Sequence, residues 1–367
     1  MFPPDGAQIA VAMSGGVDSS VAAARLVERG YACIGLTLRQ LPHAPGPTPS
    51  ERDARAVCER LGIPHHVVHQ EAQFERDVMA YFVREYQAGR TPNPCVACNR
   101  FIKFGVLHEA AEAHGAPHVA TGHYARRVRH GARWAVQRAR FRPKDQSYML
   151  APLAQEQLAR SVFPLGELSK EEVRIAAHAA GLDVASRSES QDICFVPDGD
   201  YAGFVAARSG APPPGPILST SGERLGTHHG LVHYTIGQRR GLGIAAPRPL
   251  YVVGIDPAAN ALIVAHEEET AATRFVTEAL HWGALPPQRE PLPCRVQLRL
   301  HHDPAPAVVT PAETGASVTL EAPERAITPG QWAVFYDAEE CVLAAAVIER
   351  VEESSMDREV RSAGFSP

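Results

Sequence analysis

The sequence predicts an α/β chain: a doubly wound parallel sheet at the N-terminus, then a small β-rich middle region, then a C-terminal β-barrel. Three observations predict it. Through the first half, short apolar runs alternate with segments of helical periodicity, the pattern of parallel strands joined by crossover helices. At "SGAPPPGPIL" that pattern breaks on a proline cluster. Beyond the break, apolar residues alternate with turn residues in short segments, as in small antiparallel sheets and barrels.

The elements follow in order. "QIAVAM" reads as the first strand and "SSVAAARLVERG" as a helix stopped by Gly30. "YACIGLTL" is a second strand. The Pro-rich loop "LPHAPGPTPS" leads to the helix "ERDARAVCERLGIP", stopped at Gly62. "HHVVHQ" is a third strand and "FGVLHEAAEAHG" a helix. "PHVATGHYARR" is a strand that runs into a basic stretch, and helical periodicity returns in "SKEEVRIAAHAAGL". After the break, "GIDPAANALIV" reads as strand, turn, strand. From Thr273 onward, "CRVQLRLHH", "ASVTLEAPERAITPGQWAVFYD" and "CVLAAAVIERV" read as short antiparallel strands. The expected units are residues 1–208, 209–272 and 273–352, with a polar tail over 353–367.

Composition narrows the function classes. The 367 residues are 45% hydrophobic and 21% charged, as in an ordinary soluble chain with two or three cores. The net charge of -5 means that nucleic acid, if bound, meets a local basic patch. No apolar run reaches membrane-spanning length, and the N-terminus lacks the basic and apolar regions of a signal peptide, so no membrane partner and a cytoplasmic location are expected. Seven cysteines form no disulfide framework.

Residues 14–20, "SGGVDSS", lie between the first strand and the first helix, at the carboxyl edge where doubly wound sheets bind ligands. Glycines let backbone N–H groups approach an anion, and the helix N-terminus adds its positive dipole. Ser14, Ser19 and Ser20 add hydroxyls. Asp18 is of the type that ligates Mg²⁺ beside phosphate oxygens; the plainer reading is a tight turn with Asp18 as a helix cap. The spacing matches neither GxxxxGK[ST] nor GxGxxG. It resembles the PP-loop of the ATP pyrophosphatase superfamily, whose Rossmann-like domain grips ATP and transfers AMP to a substrate oxygen.

The cysteines divide into two kinds. Cys33, Cys58, Cys294 and Cys341 fall in apolar periodic segments and read as small core residues. Cys95 and Cys98 make one CxxC, which is half a zinc site. No second pair exists, so no permanent metal is expected. Cys98 and Cys194 stand in polar, loop-like contexts rich in Asn, Asp, Gly and Pro. Thiolates there act as nucleophiles, carry a persulfide sulfur, or pair as a disulfide. Sulfur attacking an adenylated carbonyl carbon would displace AMP and leave a thiocarbonyl.

"TPNPCVACNRFIKFG", "ATGHYA", "KDQSYML" and "SESQDICFVPDGDY" resemble the bacterial tRNA-specific 2-thiouridylases, the MnmA family. So do "GLVHYTIGQRRGLGIA", "LYVVGIDPAANALIV" and "PGQWAVFYD", in order, from about Ile9 to Arg350. The resemblance implies ATP-dependent adenylation of O2 of the wobble uridine in tRNAs for Lys, Glu and Gln, and replacement of that oxygen by sulfur. It implies a sulfur-donor protein as partner, either a relay protein or a cysteine desulfurase. Cys98 maps to the nucleophile and Cys194 to the persulfide cysteine. Ala12, Met13, Ser14, Gly15, Gly16, Val17, Asp18 and Ser19 map to the ATP loop, with Leu38 and Gly122 at further nucleotide positions and Mg²⁺ accompanying ATP. Asn93, Pro94 and Cys95 map to the target-base contact. His123, Lys144, Asp145, Gln146, Arg299, Leu300 and Gln331 map to tRNA contacts. Three departures stand out: Leu38 replaces a usual Met, Cys95 a usual Asp, and Leu300 the Tyr of a usual Arg-Tyr pair. The loop near "LPHAPGPTPS" is also shorter and richer in proline.

Between Tyr124 and Lys144 the chain holds Arg126, Arg127, Arg129, Arg133, Arg138, Arg140 and Arg142 and no acid. Its alternation suggests a hairpin with one basic face that neutralises phosphates, with Trp134 or Phe141 stacking on a base. The plainer reading pairs these arginines with acids elsewhere and places Trp134 in a core. A second basic spot is "GQRRG", Gly237 to Gly241. Among the histidines only His123, at a strand end, is favoured as a ligand contact. Two other readings fit parts of the chain: an amidating or ligating synthetase on the same loop, which needs neither Cys98 nor Cys194, and a non-catalytic RNA-binding protein with a decayed ATP site.

Overall fold

The computed structural model describes residues 2–43, 45–182, 193–196 and 198–352. The expected polar tail, 353–367, lies outside the described residues.

The N-terminal sheet has five parallel strands in the order β3-β2-β1-β4-β7. They are β1 (Gln8–Ala12), β2 (Ala32–Arg39), β3 (His65–His69), β4 (His118–Ala120) and β7 (Ser161–Val162). β1 lies at the centre and is buried on both faces, which is why its sequence is a continuous apolar run. Helix α1 (Val17–Glu28) packs on one side through Val21, Ala22, Ala23 and Leu26. Helix α2 (Pro49–Leu61) begins with a Thr48–Glu51 capping box and Pro49 at its first turn, and ends at Gly62 in the left-handed conformation. The Pro-rich loop therefore serves as a helix start.

Two helices were legible only in part. α3 spans residues 71–87 with a wide π turn at Glu75–Met79, and no periodicity in the sequence had singled it out. α4 spans residues 94–113 and begins far earlier than "FGVLHEAAEAHG" suggests. β5 (Ala125–His130) and β6 (Arg133–Arg138) form the expected hairpin. Short helices α5 (Ser147–Leu150) and α6 (Gln155–Arg160) precede β7, and α7 (Lys170–Ala179) packs against α1.

Helix α8 (Tyr201–Ser209) leads into a four-stranded sheet, β10-β11-β8-β9. Its strands are β8 (Gly215–Ser219), β9 (Arg224–His228), β10 (Tyr251–Asp256) and β11 (Ala261–Ala265). The rest is a barrel. β12 (Ala271–Thr277), β14 (Leu292–Gln297), β15 (Ala305–Pro311), β16 (Ala316–Arg325), β17 (Trp332–Tyr336) and β18 (Val342–Val351) run β12-β16-β15-β14-β17-β18, and a β12–β18 pairing closes it. β13 (His281–Trp282) adds to β18 outside the ring. Closure removes exposed sheet edges.

The hairpin joins the first unit to the barrel. Ala135 lies in the barrel's core, Gln137 bridges to Cys341, and Arg133 donates to the carbonyls of Trp282 and Gly283. Tyr148 donates to the Trp332 carbonyl. No helix of the described residues is long and apolar enough to cross a membrane.

Candidate active site

The loop after β1 is shaped for an anion. Gly15 takes a φ of +76°, and a Cβ there would sit 2.8 Å from the Ser50 carbonyl, so only glycine fits against the start of α2. Gly16 is the N-cap of α1, and no side chain caps it. The first-turn N–H groups therefore open toward the mouth of the loop, with the helix dipole behind them. Ser14 is exposed there. Met13, Val17 and Ser19 bury their side chains, so these positions can serve a ligand through backbone only. The Ser19 hydroxyl donates to the Gly16 carbonyl and accepts from the Ser14 N–H, fixing the curl of the loop. Thr37 donates to the Met13 carbonyl from β2. Leu38 and Ala12 are half-buried beside it.

Gly122 has a packing reason. A Cβ on it would lie 2.8 Å from the Ser19 nitrogen and the Asp18 carbonyl carbon. The missing side chain lets the loop after β4 press against the first turn of α1.

Asp18 departs from the expected Mg²⁺ role. Lys170 Nζ reaches both its carboxylate oxygens, at 2.8 and 3.0 Å, and the Tyr124 hydroxyl donates to it at 2.7 Å. Its charge is already matched by a cation. Among the described residues no cluster of three acids, histidines or cysteines gathers to hold a metal. The carboxylate does not stand open for Mg²⁺.

The thiols lie on α4 and the turn that holds residues 193–196. Cys98 is not in a loop as its polar neighbours suggest. Asn93 is the N-cap, its side chain accepting from Val96 N–H, and Pro94 follows at the first helical position, so "NPC" starts a helix. From Cys98 to Val106 the backbone widens into a π-helix, a form that recurs at functional sites. Cys98 is buried and accepts from Gln40 Nε2 at 3.3 Å. Burial raises its thiol above the usual range, while Lys103 and Gln40 act the other way. Cys95 and Cys194 each open to solvent on one side. Surrounding protein pushes Cys194 up to about 11, with Cys98 and Cys95 adding to the shift and Lys103 opposing it. The same Lys103 opposes the rise at Cys95. His123 is buried, bonded to Thr121 Oγ1 at 2.8 Å, and held well below the usual imidazole range by burial and then Lys103. One ammonium thus lies in electrostatic range of three thiols and a histidine.

The other anticipated residues divide into braces and surface groups. Asp145 is buried, and it accepts from Ala139 N–H, the Ser147 hydroxyl and Arg138. That carboxylate is spent on its own loop and offers RNA nothing. Gln146 accepts from Tyr124 N–H, and Gln331 donates to the Thr91 carbonyl at 2.8 Å. Gly330 packs so closely that a Cβ would meet Thr91 backbone at 2.9 Å. The barrel thereby fixes the segment that enters α4. Arg299 is exposed, Leu300 half-buried, and Lys144 half-buried on the loop beside Asp145.

The hairpin corrects the expectation of a basic RNA face. Arg127 is buried and donates to the carbonyls of Leu158 and Ala159. Half-buried Trp134 has Arg127 4.2 Å and Arg129 3.8 Å from its ring centre, so the hairpin's own guanidinium groups stack on it. Arg138 and Arg142 pair with Glu340, and Arg126 approaches Glu167 at 3.7 Å. Phe141 lies under Arg140. Gln40, Lys103, Tyr124 and Lys170 were not singled out in the sequence, because no local pattern marks a residue whose partner is far along the chain.

Three family models cover the chain in this order: a tRNA methyl transferase HUP domain over residues 7–198, a tRNA methyl transferase PRC-barrel domain over 203–266 and an aminomethyltransferase beta-barrel domain over 272–348. The tRNA-specific 2-thiouridylase MnmA of Syntrophotalea carbinolica is 49% identical over 335 residues, spanning 90% of this chain and 95% of that protein. The chain belongs to the MnmA family. The Symbiobacterium thermophilum relative is 45% identical, over 95% of this chain and 93% of its own length. Among solved structures, NMN synthetase from Francisella tularensis aligns with a TM-score of 0.32 at 18% identity, over 51% of this chain and 67% of that one, which is too distant to carry an argument. Within this MnmA-family chain the loop, the thiols and Lys103 all lie in the first matched unit, and the barrel braces that region through Gln331 on the Thr91 carbonyl, His281 at 3.1 Å from Arg100, and Trp332 in the core shared with Val96.

Proposed function

We propose that the chain is an ATP-dependent tRNA-uridine 2-sulfurtransferase acting on the wobble uridine of tRNAs for Lys, Glu and Gln, with Cys98 and Cys194 as its sulfur-handling pair. The supporting observation is an uncapped anion loop in the same unit as Cys98, which sits at the start of a π-helical turn against Gln40 Nε2 at 3.3 Å, with the Lys103 charge opposing the rise of Cys95, Cys98 and Cys194.

The chemistry follows from those groups. Backbone N–H groups of Gly15 to Ser19 hold the triphosphate of ATP while uridine O2 attacks Pα and pyrophosphate leaves. A donor protein, relay or desulfurase, loads sulfur on Cys194 as a persulfide. The outer sulfur attacks C2, and AMP departs with the former O2. The Cys98 thiolate then attacks Cys194 Sγ. A Cys98–Cys194 disulfide forms, the original S–S bond breaks, and the sulfur stays on C2 as thiocarbonyl. A thiol reductant resets the pair. The Lys103 charge stabilises the thiolates that these steps require. Half-buried Asn93 and exposed Cys95 form the rim that the base passes, while Pro94, expected there too, is buried at the start of α4 and takes no part in it. The reaction belongs to the cytoplasm, where tRNA matures. No step is routed through Mg²⁺, since Asp18 is ion-paired.

The test is mass analysis of wobble uridine after incubating tRNA with ATP, a cysteine desulfurase and L-cysteine as persulfide donor, a thiol reductant and the chain. A gain of sulfur that vanishes in both Cys98→Ala and Cys194→Ser, with ATP binding retained, is the expected result. Undiminished thiolation in either variant overturns the roles.

A further inference from the structure

Lys170 is out of place for a residue with only a local job. It is the first residue of α7, after the Ser169 N-cap. A cation in the first turn of a helix opposes the helix dipole, and acids are favoured there. Glu171 and Glu172 occupy the next positions, as the dipole prefers. Lys170 nonetheless turns its stem inward, its side chain only 11% exposed, and reaches across 152 residues of chain to Asp18.

Asp18 is the second residue of α1, inside the turn whose N–H groups face the anion loop. Lys170 Nζ, 2.8 Å from Asp18 Oδ1, is therefore at the positive end of α1. Tyr124 holds the same carboxylate at 2.7 Å and places its ring 6.0 Å from Nζ. The arrangement sets a cation beside an uncapped helix N-terminus, and both favour an anion there.

We infer that Lys170 is a triphosphate-binding residue, positioned by Asp18 and Tyr124 to meet the phosphates of ATP that dock on the first turn of α1. The inference rests on the ATP reading above. Lys170 supplies, from a position fixed by Asp18, the side-chain cation that the glycine loop lacks, where other phosphate loops carry a lysine of their own. In adenylation it meets the pyrophosphate side of the breaking Pα–O bond, where negative charge collects. A purely structural Lys170 would tie α7 to α1 and be indifferent to the ligand's charge.

The experiment compares ATP with adenosine by calorimetry on the full chain, for wild type, Lys170→Met and Lys170→Arg. Wild type prefers ATP. In Lys170→Met that preference falls about 10- to 100-fold, the worth of one charge-assisted hydrogen bond, with adenosine affinity unchanged. Lys170→Arg restores most of it. An undiminished ATP-to-adenosine ratio in Lys170→Met overturns the inference and leaves the ATP reading intact. A wild type with no preference for ATP overturns both. Amine labelling of wild type, mapped by mass, gives an arm that needs no variant. ATP slows labelling of Lys170 and adenosine does not; equal slowing by both refutes the contact.

Discussion

Gly122→Ala isolates the packing between the β4 loop and the ATP loop. Gly122 has no left-handed φ, so alanine meets no backbone strain there. The new Cβ falls 2.8 Å from Ser19 N and the Asp18 carbonyl carbon, where ordinary contact begins at 3.4 Å. Both obstacles are backbone and cannot rotate away. The first turn of α1 must retreat by about 0.6 Å. Overpacking of this kind costs about 1–3 kcal/mol, against about 0.4–1 kcal/mol gained from a stiffer unfolded chain. The net loss is roughly 0–2.6 kcal/mol, and at about 2–4 °C per kcal/mol the N-terminal unit melts up to about 10 °C earlier. The same retreat moves the N–H groups proposed to hold the triphosphate, so on that reading ATP affinity falls about tenfold or more. Thermal melts and ATP calorimetry check both. Gly105→Ala is the control, since its Cβ meets nothing closer than 3.5 Å. A Gly122→Ala protein that melts with wild type and binds ATP equally well refutes the packing argument.

The remaining expectations are separable. Cys194, pushed up to about 11, is mostly protonated at neutral pH, so its alkylation rises about tenfold per pH unit from 7 to 9. A plateau below pH 8 in mass-mapped iodoacetamide kinetics would contradict this, and Lys103→Met should slow the reaction at pH 8. Glu51 is held down to about 2, first by its hydrogen bond to Arg39. A depressed acid stabilises the fold fully above its unfolded value of 4.5 and loses that contribution as pH falls toward 2. Arg39→Met should flatten the acid-unfolding profile in that window. Arg127→Ala leaves the buried Leu158 carbonyl and the part-buried Ala159 carbonyl without their donor and removes a guanidinium from the Trp134 ring. It should destabilise by about 2–4 kcal/mol in denaturant melts.

What the sequence made legible was what is local. Alternating apolar runs gave the parallel sheet, because β1 is buried on both faces. Gly30 and Gly62 marked helix ends through positive φ. Cys33, Cys58 and Cys341 are buried, as periodicity implied. Misread elements turned on partners elsewhere. "NPC" looks like a turn until Asn93 is seen to cap α4. The arginines of β5 and β6 look like an RNA face until Glu340, Glu167 and the Leu158 carbonyl are seen against them. Lys170 and Asp18 are far apart in the chain, and nothing local to either announces the pair.

The hairpin's arginines being largely engaged by their own protein, the cations that meet tRNA phosphates have to be sought elsewhere. Arg239 and Arg240 are the better candidates. Both are exposed in a turn between Gly237 and Gly241, each of positive φ, and among the described residues neither side chain makes an ion pair. Gln238 braces the turn by donating to the Arg240 carbonyl and accepting from Thr235 N–H. An Arg239→Ala, Arg240→Ala double variant should bind tRNA more weakly. If each arginine neutralises one phosphate, the slope of log K against log salt falls in magnitude by about 1.4–1.8. Melting should be unchanged, because neither side chain is buried. Arg127→Ala should show the opposite pattern, an early melt with the slope preserved in the protein that remains folded. If the double variant keeps its full slope while Arg126→Ala loses one unit, the hairpin holds the RNA after all and its ion pairs open to do so.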